Sequence, residues 1–391
     1  MPALQSAIGR NITSLITSPA LRTVARKRHA LLRKLRGARA QVHYFHQPDD
    51  PDSHLAAMQL DALSKRYRID LITHLVPAPD AAAAPDQERL RAWSARDAKR
   101  LAAHYGLAVP DFSQPFTSLH NGSASALEQG RTLRAKWGHY LGATFYFEGE
   151  WYWGIDRLHY LEQRLAEAGL GAPASPLMPV PQLQLVSAPQ NAATTNPPVI
   201  HFYCSLRSPY TYLAASQVQR LAAHYGATLQ IRFVLPMVMR GLPVPLAKRL
   251  YIIRDTKREA ERLGMPFGSI VDPVGAPTER GLALLHKAIQ MGRGIEMAQS
   301  FLRGVFAEGV DAGSDAGLLA LAERAGLSRD DMRAALADES WRAVAEENRA
   351  DLLARGLWGV PSFRVNDMPA VWGQDRIWMV EQDILQALRK N

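Results

Sequence analysis

Cysteine is almost absent. The chain has one, Cys204, in 391 residues, so no disulfide can form within it and dithiol redox chemistry inside a single chain is excluded. One thiol fits a reducing, cytoplasmic setting. Long apolar runs are missing too: none approaches the roughly 20 residues a membrane-spanning helix needs. Residues 1–41 lack any Asp or Glu. They carry Arg10, Arg22, Arg26, Lys27, Arg28, Arg33, Lys34, Arg36 and Arg39, which together equal the formal net charge of +9. The rest of the chain is therefore neutral, and its high isoelectric point says little about the folded domains. This basic arm reads as a solvated segment or as a leading helix packed on the first domain. A membrane-surface or nucleic-acid contact and a targeting segment are the alternatives; no clean apolar stretch follows the charges, so a secretory signal is not expected.

What is present is enough for two domains. The length exceeds that of one typical domain, and a hydrophobic content of 47% supports sizeable cores. A Pro-rich stretch, residues 171–198, reads as an extended linker, because proline fixes φ and removes donors. It separates two segments that can be laid over one another. Val42–Ala56 matches Ile200–Ala214, with Pro51 on Pro209, Leu55 on Leu213 and His43 on His201. Each begins as a β-prone run, passes a turn and enters a helical pattern. A second strand follows, at Ile69–Pro77 and at Leu229–Pro236. Near the end of each half a hairpin turns at Glu148-Gly149 or at Asn366-Asp367. Both hairpins close on Trp-Gly-x-Asp-Arg (Trp153–Arg157 and Trp372–Arg376) before a terminal helix. The order β-α-β, helices, β-β-α predicts an α/β fold with a mixed sheet in each half. In the second half the helical insertion runs from about 245 to 355.

The second half resembles the DsbA-like thioredoxin superfamily, in the branch of 2-hydroxychromene-2-carboxylate isomerases and kappa-class glutathione transferases. The matching residues are Phe202-Tyr203, Ser208-Pro209-Tyr210, Tyr212-Leu213, Tyr251, Asp255, Arg258-Glu259-Ala260, Gly264-Met265-Pro266-Phe267, Gly359-Val360-Pro361 and Trp372–Arg376. They occur in the family's order over residues 199–391. The first half, residues 42–170, resembles the fold only through the repeat. The resemblance implies tandem thioredoxin-like (DsbA-like) domains, each a mixed sheet with an inserted helical subdomain. It implies glutathione bound at the start of the first helix, and either a homodimer or an internal pseudo-dimer of the two halves.

The residues give this a physical basis. Ser208 is a favoured N-cap and Pro209 a favoured first helical residue. The positive end of the helix dipole lies there, and an anion such as a thiolate is stabilised by it. The Ser208 hydroxyl can donate to glutathione sulfur and lower its pKa, with Arg207 adding positive potential; the plain alternative is a capping serine with nothing bound. The resemblance implies that Val360-Pro361 is a cis bond, with the Val360 backbone pairing to the cysteinyl part of glutathione. It also implies that Gln374 and Asp375 hold the γ-glutamyl end. Gln374 departs from the family's serine, and the loop after Pro236 lacks the family's Asn. Tyr210, Tyr212 and Trp358 are candidate walls for a small aromatic or electrophilic substrate, or core residues. Arg240 and Lys248 are candidate anchors for an acidic group, or solvated charges. Cys204 reads as a small buried apolar residue.

The first half has Asp50 where the second has Ser208, and Thr144 where it has Pro361. A carboxylate at Asp50 would repel a thiolate, so this half reads as a degenerate copy. His43, His46, Asp49, Asp50, Asp52 and His54 do not make a metal site: residues three apart on a strand point to opposite faces. The expected function is a glutathione-dependent isomerase or transferase, with no metal and no nucleic-acid partner. The alternatives are a non-catalytic thioredoxin-like scaffold and a relative of the disulfide oxidoreductases without their Cys-x-x-Cys.

Overall fold

The computed structural model describes residues 11–109, 123–187 and 196–390. Arg10 of the basic arm and residues 188–195 of the expected linker fall outside the described residues. The chain divides into two units. The first is Pro19–Pro181 with the short segment Pro243–Tyr251; the second is made of the described parts of Gln182–Leu242 and Ile252–Asn391, with the residues up to Ser18.

The first unit opens with helix α1 (Pro19–Leu35). Strand β1 (Ala40–His46), helices α2 (Pro51–Ala57) and α3 (Leu60–Arg66) and strand β2 (Ile69–Leu75) follow. Helices α4 (Gln87–Tyr105) and α5 (Ala124–Lys136) lead to the hairpin β3 (Thr144–Phe147) and β4 (Glu150–Trp153), and α6 (Leu158–Glu167) closes the unit. Local sequence explains the starts: Asp50, Asp86 and Ser123 each accept the backbone N–H three residues on, satisfying a donor the helix cannot. The sheet has the order β2-β1-β3-β4. β1 and β2 are parallel and the other pairs antiparallel. Tyr44 faces Phe145 across β1 and β3, with ring centroids 4.8 Å apart and both side chains fully buried.

The basic arm is not free. Arg26 donates to both carboxylate oxygens of Glu150 at 2.6 and 2.7 Å and to Glu167 at 2.8 Å. Arg33 pairs with Glu148, which also accepts from Arg164 at 2.9 Å. Helix α1 is therefore tied to the β3–β4 hairpin and α6 through charge.

The second unit contains β5 (Val199–Cys204), α7 (Pro209–Tyr225) and β6 (Thr228–Phe233), then helix α8 (Leu246–Arg262), which belongs to this unit from Ile252 onward. Helices α9 (Ala276–Gln290), α10 (Gly294–Arg303), α11 (Asp315–Arg324), α12 (Arg329–Ala337) and α13 (Trp341–Ala354) complete the helical insertion. The hairpin β7 (Ser362–Val365) and β8 (Val371–Trp372) and the last helix α14 (Ile377–Lys390) finish the unit. The sheet order is β6-β5-β7-β8, again with one parallel pair, β5 with β6, and antiparallel pairs elsewhere. Phe202 stacks on Phe363 across β5 and β7, with centroids 5.3 Å apart and planes at 3°. By strand register these two rings stand where Tyr44 and Phe145 stand in the first sheet.

Both hairpin turns lie where the sequence puts them. Glu148 and Asn366 have left-handed backbones, with φ of 46° and 48°. Residues 171–187 form no helix or strand, yet they are fastened. The Leu177 N–H donates to Glu162 at 2.7 Å, and the Gln184 and Leu185 N–H groups donate to Glu381 at 2.7 and 2.6 Å. No helix among the described residues is long and apolar enough to cross a membrane.

Candidate active site at the start of α7

The site is assembled where α7 begins. Ser208 has an extended backbone (φ −101°, ψ 113°), and its Oγ accepts the Thr211 N–H at 3.2 Å. Pro209 occupies the first helical position, and the Tyr212 N–H bonds the Ser208 carbonyl at 3.2 Å. The helix then runs unbroken for 17 residues to Gly226, whose left-handed φ of 63° ends it. A helix of this length presents the positive end of its dipole at Ser208. The Ser208 hydroxyl donates to the Val360 carbonyl at 3.4 Å, near the outer limit of a useful bond. Its proton can therefore turn to a better acceptor at little cost.

Val360-Pro361 is cis, as the resemblance implied. Among the described residues the Val360 N–H meets no acceptor. Before it, Gly359 has a steric role: a Cβ there would overlap the Trp372 indole. Trp372 packs against Trp358, with centroids 5.2 Å apart. The Pro361 carbonyl accepts the Gly373 N–H at 3.0 Å, which brings the short turn Gln374–Arg376 beside the Ser208–Val360 pair. That turn also packs against α7.

The expected residues have distinct environments. Asp375 keeps some exposure and lies 3.3 Å from the Arg376 guanidinium. Gln374 is turned inward, 3% exposed, and its amide nitrogen donates to Glu259 at 2.9 Å. Tyr210 is half-buried next to Ser208, and its hydroxyl donates to Asp255 at 2.8 Å. Tyr212 points away into the helical subdomain. Its hydroxyl bonds the Pro266 carbonyl at 2.8 Å and its ring stacks near Phe267, so it is core and not a wall of the site. Trp358 is buried against Trp372. Arg240 sits in a short turn, Met237–Arg240. Burial lowers its pKa, and it feels the charges of Arg349 and Glu346 on α13; no contact joins it to Ser208. Lys248 belongs to the first unit, where it donates to the Ala83 carbonyl at 2.7 Å. There it is a structural donor.

Arg207 also differs from expectation. Its guanidinium binds Asp272 in two-pronged fashion, at 2.6 and 2.7 Å. The carboxylate offsets most of the positive potential it would lend to the turn. Cys204 is fully buried, and desolvation pushes its thiol up to about 12, so it is no nucleophile at neutral pH.

Two residues given no role by the sequence reading hold the site together. Asp255 and Glu259 are one helical turn apart on α8 and both nearly fully buried. Asp255 takes the Tyr210 hydroxyl and Arg258 (3.3 Å). Glu259 takes Gln374 and Arg262 (2.7 Å). The same face of α8 thus braces both the first turn of α7 and the turn before α14. Their i, i+4 spacing was visible as one helix face; their partners were not.

The equivalent turn of the first unit keeps the scaffold. Asp50 caps α2, accepting from the Ser53 N–H at 2.9 Å and the Ser53 hydroxyl at 2.7 Å, with Pro51 at the first position. Its carboxyl pKa is raised by desolvation. Asp49 accepts from Arg91 at 2.6 Å and Asp52 from Ser94 at 2.7 Å. The cleft there is walled by Asp49, Asp50, Asp52 and Trp153. Helix α2 lasts only seven residues. The sheet register puts Thr144 opposite Phe45 as Ser362 lies opposite Tyr203, so Ala143, and not Thr144, stands where the cis proline stands; its carbonyl accepts the Gly154 N–H at 2.8 Å as that of Pro361 accepts Gly373. Of the histidines nearby, His43 faces His74 at 2.9 Å and His54 meets the Pro48 carbonyl at 2.8 Å.

Comparison with known proteins places the second unit. Residues 199–385 match the DSBA-like thioredoxin domain. The chain is 23% identical over 201 residues to a 2-hydroxychromene-2-carboxylate isomerase of Pseudomonas putida, covering 49% of this chain and 97% of that protein. It is 21% identical over 194 residues to the 2-hydroxychromene-2-carboxylate isomerase of Pseudomonas sp. (strain C18), covering 48% and 90%. A solved structure of a 2-hydroxychromene-2-carboxylate isomerase is 22% identical, with a TM-score of 0.41 over 49% of this chain and 97% of that one. The carboxy-terminal half, residues 199–385, is a DsbA-like thioredoxin domain with homology to 2-hydroxychromene-2-carboxylate isomerase.

Proposed function

We propose that the second unit is a glutathione-dependent isomerase or transferase in which Ser208 stabilises the glutathione thiolate. The observation that carries this reading is the Ser208 hydroxyl. It caps a 17-residue helix and donates only a long 3.4 Å bond to Val360. A sulfur anion at the helix start would receive that proton in a shorter, charge-assisted bond and would lie in the field of the dipole. Both effects favour the charged thiol and lower its pKa.

The remaining groups suit the tripeptide. The Val360 backbone offers an open N–H beside its carbonyl, a match for an extended cysteinyl segment. Asp375 is accessible enough to accept from an α-ammonium, and Gln374 orients that turn through Glu259. Bound there, glutathione would supply a thiolate that adds to an unsaturated carbon of an aromatic substrate, allows rotation about the former double bond, and leaves as that bond re-forms. Tyr210 stands nearest to Ser208 in sequence and remains half-buried, so it is the aromatic residue best able to wall such a substrate. Substrate resemblance to 2-hydroxychromene-2-carboxylate is carried over from the relatives. The first unit is, in this proposal, a copy without the chemistry: its cap is a carboxylate and its acids are answered internally.

A second reading, a thioredoxin-like scaffold that binds no thiol, draws on the inward Gln374 and on Arg207 paired with Asp272. Calorimetry separates the two. The full chain is expected to bind glutathione at millimolar concentrations or below, Ser208→Ala to bind more weakly, and Pro361→Ala to lose most of the affinity. Absence of binding by the unaltered chain at millimolar glutathione would sink the isomerase reading and favour the scaffold.

A further inference from the structure

Helix α1 is oriented backwards for a surface helix. Such helices turn apolar residues toward the protein and charges toward water. Here no residue of Pro19–Leu35 is buried. Leu21, Val24, Leu31 and Leu35 are 49%, 62%, 57% and 74% exposed. At about 100° per residue they share one sector roughly 80° wide. Arg26 and Arg33 lie on nearly the opposite side, and they are what the first unit holds, through Glu150, Glu167 and Glu148. The ion pairs fix the rotation of the helix, and that rotation displays the leucines.

The charges around the apolar stripe are of one sign. Lys27 and Lys34 flank one edge, Arg28 projects from within the stripe between Leu35 and Leu21, where its long stem can carry the guanidinium outward, and Arg36 follows the helix; all four are exposed. None of them forms an ion pair with a described residue. A flat, negatively charged, partly apolar surface would satisfy both features at once. A second copy of the helix would cover the leucines but would oppose cation to cation. A polyanion such as nucleic acid would answer the cations and leave four aliphatic side chains in water.

We propose that α1 is an interfacial membrane-binding helix, docking its Leu21–Val24–Leu31–Leu35 face into the surface of an anionic lipid bilayer. Lys27, Arg28, Lys34 and Arg36 meet the headgroups, while Arg26 and Arg33 remain on the first unit. The helix lies along the surface and does not cross it. Electrostatic attraction and apolar insertion each contribute, so both salt and removal of the leucines weaken the attachment.

The test uses the full chain with phosphatidylcholine vesicles and with vesicles containing phosphatidylglycerol. Co-sedimentation is expected with the phosphatidylglycerol vesicles, falling about tenfold or more in pure phosphatidylcholine or in molar salt. Leu31→Glu with Leu35→Glu is expected to lose the attachment while circular dichroism and the glutathione calorimetry stay unchanged. Leu31→Trp supplies a second readout, a blue shift of fluorescence on adding phosphatidylglycerol vesicles. Equal sedimentation of the paired glutamate variant and the unaltered chain would overturn the proposal, as would no blue shift. A dimer abolished by the glutamates in protein that ignores vesicles would overturn it in favour of a second copy.

Discussion

The two halves build the same corner with different chemistry. Asp50-Pro51 and Ser208-Pro209 both start a helix with an extended capping residue whose side chain accepts an N–H three residues on. In the first unit the cap is a carboxylate, its own second donor is the Ser53 hydroxyl, and the helix stops after seven residues. In the second the cap is a neutral hydroxyl that still has a proton to give, the helix is 17 residues long, and Val360-Pro361 is adjacent. The comparison separates what a cap needs from what a thiolate needs. Any small acceptor caps a helix. Only a donor, on a long helix, next to an open backbone edge, also stabilises a sulfur anion.

The largest expected effect tests whether the two halves share a core as well as a corner. Phe363→Ala in the second unit and Phe145→Ala in the first should each cost about 3–5 kcal/mol, because each removes a fully buried ring from an equivalent cross-strand pair. Denaturant titration of the two variants checks this; a cost near zero in one unit would break the equivalence of the sheets.

A smaller effect is the response to acid. His43 and His201 occupy matching strand positions, and both have pKa values lowered to about 4, chiefly by burial. Arg232 donates to His201 Nδ1 at 2.9 Å, which requires a neutral ring. A depressed pKa means stability that is present above the unfolded value near 6.5 and lost as pH falls toward 4. Each histidine should therefore cost on the order of 1 kcal/mol between pH 7 and pH 5, allowing for solvent screening. His201→Gln should flatten this dependence for the second unit; an unchanged profile would show that the acid response originates elsewhere.

The smallest change in stability is the most informative about chemistry. Exchanging the caps, Ser208→Asp and Asp50→Ser, should move stability by only about 0.5 kcal/mol either way, since both residue types cap well. Glutathione binding should disappear from Ser208→Asp and should not be created by Asp50→Ser, where Ala143 in place of the proline and the short α2 remain. Binding gained by the Asp50 variant would mean that the cap alone makes the site.

Much of this was legible from sequence because it is local. Ser-Pro and Asp-Pro announce helix starts, the alternation and spacing of apolar residues announce strands and helices, and matched positions of Pro, Leu and His pointed to a similar element order in each half, where two four-stranded sheets are found. The turns at Glu148-Gly149 and Asn366-Asp367 followed from turn chemistry. What escaped depends on pairs far apart in the chain. Glu259 reaches Gln374, and Arg207 is neutralised by Asp272, across 115 and 65 residues. Tyr212 and Tyr210 look alike in sequence, but one residue type two positions along a helix faces a different side. The rotation of α1 could not be read either, because it is set by Glu148, Glu150 and Glu167, over a hundred residues away. Lys248 looked like part of the second half, yet the chain returns it to the first unit.

The central claim is that the Ser208 turn, and not the Asp50 turn, holds a thiolate. The direct measurement is the thiolate absorbance of glutathione bound to the full chain, titrated with pH in the unaltered protein and in Ser208→Ala. The account predicts a bound-thiol pKa about one or more units below the ordinary thiol value near 8.5, rising back toward it in the alanine variant. The same pKa in both proteins would contradict it.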